Sequence, residues 1–187
     1  MNIYLIRHTT PDIELVYCYG QTDLDVAHTF TEEAGRAKAL LPAFKKVKIY
    51  ASPLLRCKKL AEFLDLGDIT YDDRLKEINF GDWEMKPWKD FDRKVFDSWV
   101  KDFVTQSPPG GESFQQMHDR VMSFFNTLHD REDKDVILVC HGGVIRAILA
   151  NILHMPLKFM FRMNIDFGAV SKVIADNGEL KVDFINR

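Results

Sequence analysis

The chain has 187 residues, of which 46% are hydrophobic and 28% are charged, so it is long enough for one globular domain with a substantial core. Its 25 basic and 28 acidic residues leave a formal net charge of −3, which gives no indication of a nucleic-acid or membrane partner. Three cysteines without a C-x-x-C pair argue against a disulfide framework or a zinc ribbon, and no signal-peptide pattern is seen, so we expect a cytoplasmic protein.

Predicted strands and helices alternate in the first part of the chain. The apolar run at residues 3–6 is typical of a buried strand, which ends at Arg7 and His8. A long loop at 9–30 precedes a helix at 31–42 that we expect Thr31 to cap. The next predicted elements are a strand at 47–51, a helix that begins with Ser52 as its cap, and a short strand at 69–71.

The middle of the chain leaves this alternation. Residues 78–111 are interpreted as a lid-like helical excursion, with a helix at 88–104 and a Pro-Pro-Gly-Gly break at its end. The chain continues with a core-facing helix at 114–128, a strand at 136–139, a helix from Val144 to about Leu153, and a hairpin of strands at 170–175 and 180–184. The pattern predicts one domain over residues 1–187, a three-layer α/β/α fold with a mostly parallel central sheet.

Polar side chains stand where three of the predicted strands end. Arg7 and His8 follow the first strand, Arg56 lies shortly after the second, and His141 follows the strand at 136–139. If these strands are parallel neighbours, their carboxyl ends meet at one edge of the sheet. Arginine suits phosphate or carboxylate, and a neutral imidazole can act as a nucleophile, base or metal ligand.

Two helix starts add to this edge. We expect Arg56 and Arg146 in first helical turns, where a cation opposes the helix dipole unless an anion binds nearby. Gly142 and Gly143 would leave backbone N–H groups free at such a terminus, which is a common anion site. Each arginine alone could be a solvated surface cation, but their coincidence favours a phosphate site.

Four segments resemble the histidine phosphatases, the superfamily that includes cofactor-dependent phosphoglycerate mutases. They lie in the family's order and span most of the chain: residues 5–8 (LIRH), 52–56 (SPLLR), 75–84 (LKEINFGDWE) and 141–143 (HGG). Within the superfamily, further segments look most like the alpha-ribazole phosphatases of cobalamin synthesis. These are residues 11–12, 18–24, 108–113 and 161–162.

The resemblance implies a phosphoglycerate mutase-like fold and a metal-independent phosphomonoester hydrolase without a cofactor. It assigns the nucleophile to His8, which would become a phosphohistidine. Arg7, Arg56 and His141 would hold the phosphoryl oxygens in a loose, in-line transition state. Glu77 would protonate the leaving alkoxide and then activate water.

The resemblance further implies a small phosphomonoester as the partner, and either a monomer or a homodimer. Five residues are expected to contact this substrate: Tyr19, Gln21, Thr22, Trp83 and Gly142. The chain also departs from the family where glycine, threonine and asparagine usually follow the nucleophile. Those places hold Thr9, Pro11 and Glu14, and a carboxylate would repel phosphate, so Glu14 receives no phosphate role.

Other functions remain open at this point. Cys140 and Arg146 satisfy the C-x5-R spacing of cysteine-dependent phosphatases, although this leaves His8 and Glu77 unexplained. A broad-specificity phosphatase or a mutase on the same scaffold, and a phosphate-binding module without catalysis, are further alternatives. A metal enzyme is not expected, because the remaining histidines lack ligand spacing. These are His28, His118, His129 and His154.

Overall fold

A six-stranded sheet forms the centre of the computed structural model, which describes residues 1–128 and 135–187. The strands are β1 (Asn2–Arg7), β2 (Val47–Ala51), β3 (Ile69–Tyr71), β4 (Asp135–Cys140), β5 (Val170–Asp176) and β6 (Glu179–Phe184). Their order is β3-β2-β4-β1-β5-β6; the first four run parallel, and β5 and β6 are antiparallel to their neighbours. The mostly parallel sheet predicted from the sequence is confirmed.

Helices cover both faces of this sheet. They are α1 (Phe30–Ala39), α2 (Leu55–Leu64), α3 (Arg93–Lys101), α4 (Phe114–Phe125) and α5 (Gly142–Ile152). Successive side chains of β1 point to opposite faces, as in any strand. Ile3 and Leu5 join the core formed with α4 and α5, whereas Tyr4 and Ile6 join the core formed with α1 and α2. The predicted three-layer architecture is therefore confirmed.

The central strands are long apolar runs because both of their faces are covered. Residues 3–6 of β1 and 136–140 of β4 are buried throughout, and the two strands pair in parallel with Arg7 opposite Cys140. The predicted hairpin at the far edge of the sheet is present. It turns at Asn177 and Gly178, which both have positive φ, as a tight hairpin turn requires.

Two predicted helix starts are wrong. α1 begins at Phe30, so Thr31 lies inside the helix and does not cap it. α2 begins at Leu55 after an extended Leu54, and its first N–H donates to the Asp23 carboxylate at 2.6 Å. Ser52 is therefore not the cap, because a distant carboxylate satisfies the helix terminus instead.

The boundaries of two other helices also differ from prediction. The single helix expected at 88–104 is a short 3-10 turn, Trp88–Asp90, followed by α3. The break occurs because the Asp92 side chain accepts hydrogen bonds from the backbone N–H groups of Lys94 and Val95, which starts a new helix. α5 begins at Gly142, two residues before the predicted start, so Arg146 lies in its second turn.

The segment at 78–111, which connects β3 to α4 along the chain, carries a cluster of aromatic side chains, the aromatic layer. Its own small core consists of Cys18, Trp83 and Phe91, with Phe96 and Trp99 packed against it. Trp83 stacks on Phe91 with ring centroids 4.7 Å apart. Its lid role stays a prediction. Within residues 1–128 and 135–187, no helix has the length and apolar character needed to cross a membrane.

Candidate active site

The carboxyl ends of β1, β2 and β4 meet at one edge of the sheet. The His8 N–H donates to the Cys140 carbonyl at 3.0 Å, and the Ser52 N–H donates to the Val139 carbonyl at 3.0 Å. Each bond extends the parallel ladder by one residue past a strand end. The ladder thus fixes His8, Ser52 and His141 beside one another.

His8 is held as a neutral imidazole with one free nitrogen. Its Nδ1 lies 2.7 Å from the Thr9 carbonyl oxygen, which can only accept, so Nδ1 carries the proton and Nε2 keeps its lone pair. The side chain is almost fully buried, and burial together with the Arg56 and Arg7 cations holds the pKa of His8 well below its usual range. The histidine is therefore set up as a nucleophile rather than as an acid.

Arg56 is a fully buried cation whose hydrogen bonds come from one loop. Its Nη2 donates to the Gly20 carbonyl at 2.6 Å, and its Nη1 donates to the Thr22 carbonyl at 2.9 Å. The loop is itself held by Glu84, whose carboxylate accepts the N–H of Gln21 at 2.9 Å, the N–H of Thr22 at 2.6 Å and the Thr22 hydroxyl. Glu84 thus positions Arg56 through the backbone.

Arg7 lies beside Arg146, a residue of α5. Arg7 Nη1 donates to the Ile165 carbonyl at 2.6 Å, and Arg146 Nε donates to the Met163 carbonyl at 3.0 Å. A Cβ atom added to Gly142 would lie 2.9 Å from Arg146 Nη1 and 3.3 Å from Arg7 Nε. The absence of a side chain at residue 142 is what lets both guanidinium groups approach the helix terminus.

His141 is fully buried and contacts the serine that the sequence placed at a helix cap. Its Nε2 lies 2.8 Å from Ser52 Oγ and 3.5 Å from Cys57 Sγ. Burial, followed by the charge of Arg56, holds the pKa of His141 well below its usual range. The ring centroids of His8 and His141 are 5.1 Å apart, so both imidazoles could contact one phosphoryl group.

Glu77 packs directly against the start of α5. Its carboxylate accepts the Gly143 N–H at 3.0 Å and the Ile78 N–H at 3.1 Å. The expectation that Gly143 leaves its N–H free is therefore wrong, because the carboxylate occupies it. The Glu77 backbone is also fixed, since its carbonyl accepts from the Gln21 side chain at 3.0 Å and from Arg120 at 3.3 Å.

A cavity of about 260 Å³ opens onto these groups. Its polar lining includes Arg7, His8, Tyr19, Glu77 and Arg146. Its apolar lining is aromatic and includes Phe80, Trp88, Trp99, Phe114 and Phe161. His8 and the Glu77 carboxylate thus face one space, walled by rings that come from distant parts of the chain.

The predicted substrate contacts divide into two groups. Tyr19 lines the cavity, and Gly142 lies beneath the two guanidinium groups. The polar groups of Gln21 and Thr22 are engaged by Glu84 and the Glu77 backbone, and Trp83 is only 5% exposed within the aromatic layer. Contact of these last three with a substrate stays a prediction. The sequence reading missed Ser52 as a partner of His141, and no local signal distinguishes it from a helix cap.

The residues that depart from the family pattern either do not line the cavity or are compatible with the local backbone. Thr9 is buried and does not have positive φ, so its β-branched side chain is accommodated. Glu14 is exposed on the outside of the loop and does not line the cavity. Its carboxylate therefore does not repel a phosphoryl group at His8.

Cys140 is placed badly for nucleophilic attack. Its side chain is fully buried, and burial raises the pKa of this thiol well above its ordinary value. Only the thiolate is a strong nucleophile, so this geometry argues against the cysteine-dependent alternative. Among the residues that the structure describes, no group of three or more His, Cys, Asp or Glu is arranged to hold a metal ion. His129 lies outside these residues.

The charges around the cavity favour an anionic ligand. Arg7 and Arg146 line it together with the Glu77 carboxylate, and the buried Arg56 lies close enough to His8 to lower the pKa of that imidazole. Burial lowers the pKa of Arg7, although guanidinium groups stay protonated in proteins. A phosphoryl group placed beside His8 would relieve the repulsion between the Arg7 and Arg56 cations.

Comparison with known proteins agrees with this arrangement. The family model for the histidine phosphatase superfamily (branch 1) matches residues 3–187. The adenosylcobalamin/alpha-ribazole phosphatase of Escherichia coli K12 is 28% identical over 183 residues, covering 92% of this chain and 89% of that protein. The glucosyl-3-phosphoglycerate phosphatase of Mycolicibacterium vanbaalenii is 30% identical over 153 residues, covering 74% and 67%.

Solved structures show the same fold. The alpha-ribazole phosphatase from Shigella flexneri superposes with a TM-score of 0.89 at 25% identity, covering 100% of this chain and 96% of that one. The match extends over the sheet, both helical layers and the aromatic segment. The chain therefore belongs to the histidine phosphatase superfamily, and it is a phosphatase.

Proposed function

We propose that the protein hydrolyses small phosphomonoesters through a phosphohistidine on His8, without a metal ion. The observation that carries this is the bond between His8 Nδ1 and the Thr9 carbonyl, which leaves the Nε2 lone pair for the cavity. Arg7, Arg56 and His141 supply the positive and hydrogen-bonding groups around the transferred phosphoryl. The arginine side chains would thus stabilise the negative charge of the transferred phosphoryl group, as metal ions do in other phosphoryl-transfer enzymes.

The reaction has two steps. In the first, His8 Nε2 forms a bond to phosphorus as the ester P–O bond breaks, and protonated Glu77 gives its proton to the leaving alkoxide. In the second, water attacks phosphorus, the Glu77 carboxylate takes a proton from this water, and the P–N bond breaks. Inorganic phosphate leaves and Glu77 is again protonated.

The favoured substrate is alpha-ribazole 5′-phosphate, the phosphate ester of a benzimidazole riboside. The relatives support this choice by name, and the six aromatic side chains on the cavity, Tyr19 included, provide flat faces against which a fused ring can stack. A sugar-acid leaving group would need several polar contacts in the same place. Kinetics across alpha-ribazole 5′-phosphate, 3-phosphoglycerate and glucosyl-3-phosphoglycerate test the choice, and the highest kcat/KM is expected for the first.

The chemistry is tested by trapping the intermediate. Quenching with SDS at alkaline pH after reaction with a ³²P-labelled substrate should give a phosphoenzyme that is stable to alkali and loses its label in acid, as a phosphohistidine does. The His8→Gln variant should lose the label and the turnover of p-nitrophenyl phosphate, while Cys140→Ser and a chelator such as EDTA should leave both in place. Activity that survives His8→Gln, or that disappears with EDTA and returns with a metal, would contradict the proposal.

The same labelled substrate and variants distinguish the proposed hydrolase from a binding protein without catalysis and from a mutase. Absence of turnover with retained phosphate binding would favour the former. Transfer of the label from the phosphoenzyme to a sugar-acid hydroxyl rather than to water would favour the latter. Rapid release of labelled inorganic phosphate is the result expected of a hydrolase.

A further inference from the structure

Arg146 carries hydrogen-bonding capacity that the proposed reaction does not use. Its Nε donates to the Met163 carbonyl, but neither terminal nitrogen hydrogen-bonds to another residue within 1–128 or 135–187. The guanidinium carbon lies 5.6 Å from the centre of the Phe161 ring, which belongs to the cavity wall and is 54% exposed. The side chain is thus fixed at one end and open toward the cavity at the other.

Arg146 is held next to Arg7 although the two cations repel each other. Their anchoring carbonyls, those of Met163 and Ile165, belong to one short segment. Among the described residues, no carboxylate forms a salt bridge with either arginine. Burial and the charge of Arg7 lower the pKa of Arg146, whereas Glu77 raises it. An anionic or oxygen-rich ligand would therefore stabilise this pair of cations.

The three equatorial phosphoryl oxygens already have Arg7, Arg56 and His141. Arg146 lies next to Arg7 and Phe161 on the lining of the same cavity. The leaving alcohol must occupy this space when the phosphoryl group lies against His8. Resting on the proposed phosphatase activity, we infer that Arg146 binds an oxygen of the leaving group close to the ester, such as a sugar hydroxyl or ring oxygen.

The experiment compares kcat/KM for two phosphate esters between the wild type and one variant. Ribose 5-phosphate offers sugar oxygens beside the ester, whereas phenyl phosphate offers an apolar ring and none. The Arg146→Met variant, which keeps an unbranched apolar side chain, should lose about 10- to 100-fold in kcat/KM for ribose 5-phosphate, the loss typical of removing a charged hydrogen bond. Its kcat/KM for phenyl phosphate should stay within about threefold of the wild type.

Two further variants control for folding and charge. Arg146→Lys keeps the charge but loses the planar fork, and it should show the same selective loss at about tenfold. Arg162→Met removes an exposed arginine whose guanidinium lies over Phe159, away from the cavity, and should change neither ester. Thermal unfolding of each variant shows whether a loss reflects misfolding, which would lower both rates together.

Equal losses on both esters in Arg146→Met and Arg146→Lys would overturn the inference, because Arg146 would then act on the phosphoryl group or on folding. Wild-type turnover of phenyl phosphate with none of ribose 5-phosphate would also overturn it, since no sugar oxygen would be recognised. Wild-type inactivity on both esters would instead contradict the proposed phosphatase chemistry. A selective loss of kcat/KM for ribose 5-phosphate, with kcat/KM for phenyl phosphate retained, supports the inference that Arg146 binds the leaving group.

Discussion

The hydroxyl of Ser52 lies 2.8 Å from Nε2 of His141, and both side chains are fully buried. Ser52 Oγ accepts the Leu54 N–H at 3.4 Å, and the neighbouring Cys57 thiol donates to the Cys140 carbonyl at 3.5 Å. If His141 donated from Nε2, the hydroxyl proton would turn to the Cys57 sulfur, which accepts only weakly. Because imidazole nitrogen is the stronger acceptor, we predict that Ser52 donates to Nε2 and that His141 carries its proton on Nδ1.

The Ser52→Ala variant tests this tautomer. Loss of the hydroxyl lets His141 adopt either tautomer, so kcat for p-nitrophenyl phosphate should fall about 10- to 100-fold, while the Ser52→Thr variant should recover part of it. Nitrogen chemical shifts of the His141 ring, measured by NMR, should show a single Nδ1–H form in the wild type and a mixture in Ser52→Ala. Ser98→Ala, at an exposed position on α3, is the matched control. An Nε2–H form in the wild type would contradict the assignment.

Glu84 holds in place the loop whose carbonyl groups position Arg56. Its carboxylate accepts from the N–H groups of Gln21, Thr22 and Phe80, and from the Thr22 hydroxyl. Glu84→Gln replaces one acceptor oxygen with an NH₂ group that faces these donors. We expect a loss of about 2 kcal/mol in the free energy of unfolding, from two hydrogen bonds of about 1 kcal/mol each.

The same variant should raise KM, because the Gly20 and Thr22 carbonyls that hold Arg56 would lose their support. Urea unfolding and steady-state kinetics measure the two effects. Glu14→Gln removes an exposed carboxylate from the same long loop and should change neither. Unchanged stability in Glu84→Gln would show that the loop is held by other contacts.

The parts of this fold that the sequence reveals are those with local periodicity. The buried runs of β1 and β4 and the stripes of α4 and α5 could be predicted because each element repeats its pattern over its whole length. Resemblance to a family also placed Arg7 and His8. Helix boundaries were less accessible, since the Asp23 carboxylate that satisfies the start of α2 lies 32 residues earlier.

The cavity itself could not be predicted, because its walls meet only after folding. Phe161 packs edge to face on Phe103 and Phe114, with centroids 5.4 Å from each, and these rings come from separate segments. Phe114 fits a core stripe equally well and gives no sign that it also lines a site. Ser52 shows the same ambiguity, because a serine before a helix suggests a cap whether or not a histidine lies above it.

The depressed pKa values of His8 and His141 make stability depend on pH. Both imidazoles are held neutral by burial, so between their native pKa values and the ordinary value of about 6.5 the unfolded chain binds more protons. Their contribution is fully present above pH of about 6.5 and is lost as the pH falls below it. Each histidine should add a slope of up to about 1.4 kcal/mol per pH unit.

Urea unfolding between pH 5 and pH 8 measures this slope. Replacing His8 or His141 by glutamine should each remove one histidine's share of it, whatever the substitution does to the stability at pH 8. His28→Gln, at an exposed position outside the cavity, is the control and should keep the wild-type slope. A wild-type free energy of unfolding that does not fall between pH 6.5 and pH 5 would contradict the buried neutral pair.

Gly143 is the position where one added methyl group should do the most damage. A Cβ atom there would lie 2.3 Å from Glu77 Oε1 and 3.2 Å from its carboxyl carbon. In Gly143→Ala the Glu77 side chain must move, because the start of α5 is fixed by the β4 ladder. A displaced acid should lower kcat for alkyl phosphates about 100-fold or more, since general acid–base catalysis contributes on that order. p-Nitrophenyl phosphate, whose leaving group hardly needs a proton, should lose less.

Gly35→Ala is the matched control, because an added Cβ on α1 meets no atom within 4 Å and should stabilise the helix by up to about 1 kcal/mol without changing kcat. Equal losses on both esters in Gly143→Ala would show that the methyl group disturbs the phosphoryl site rather than the acid.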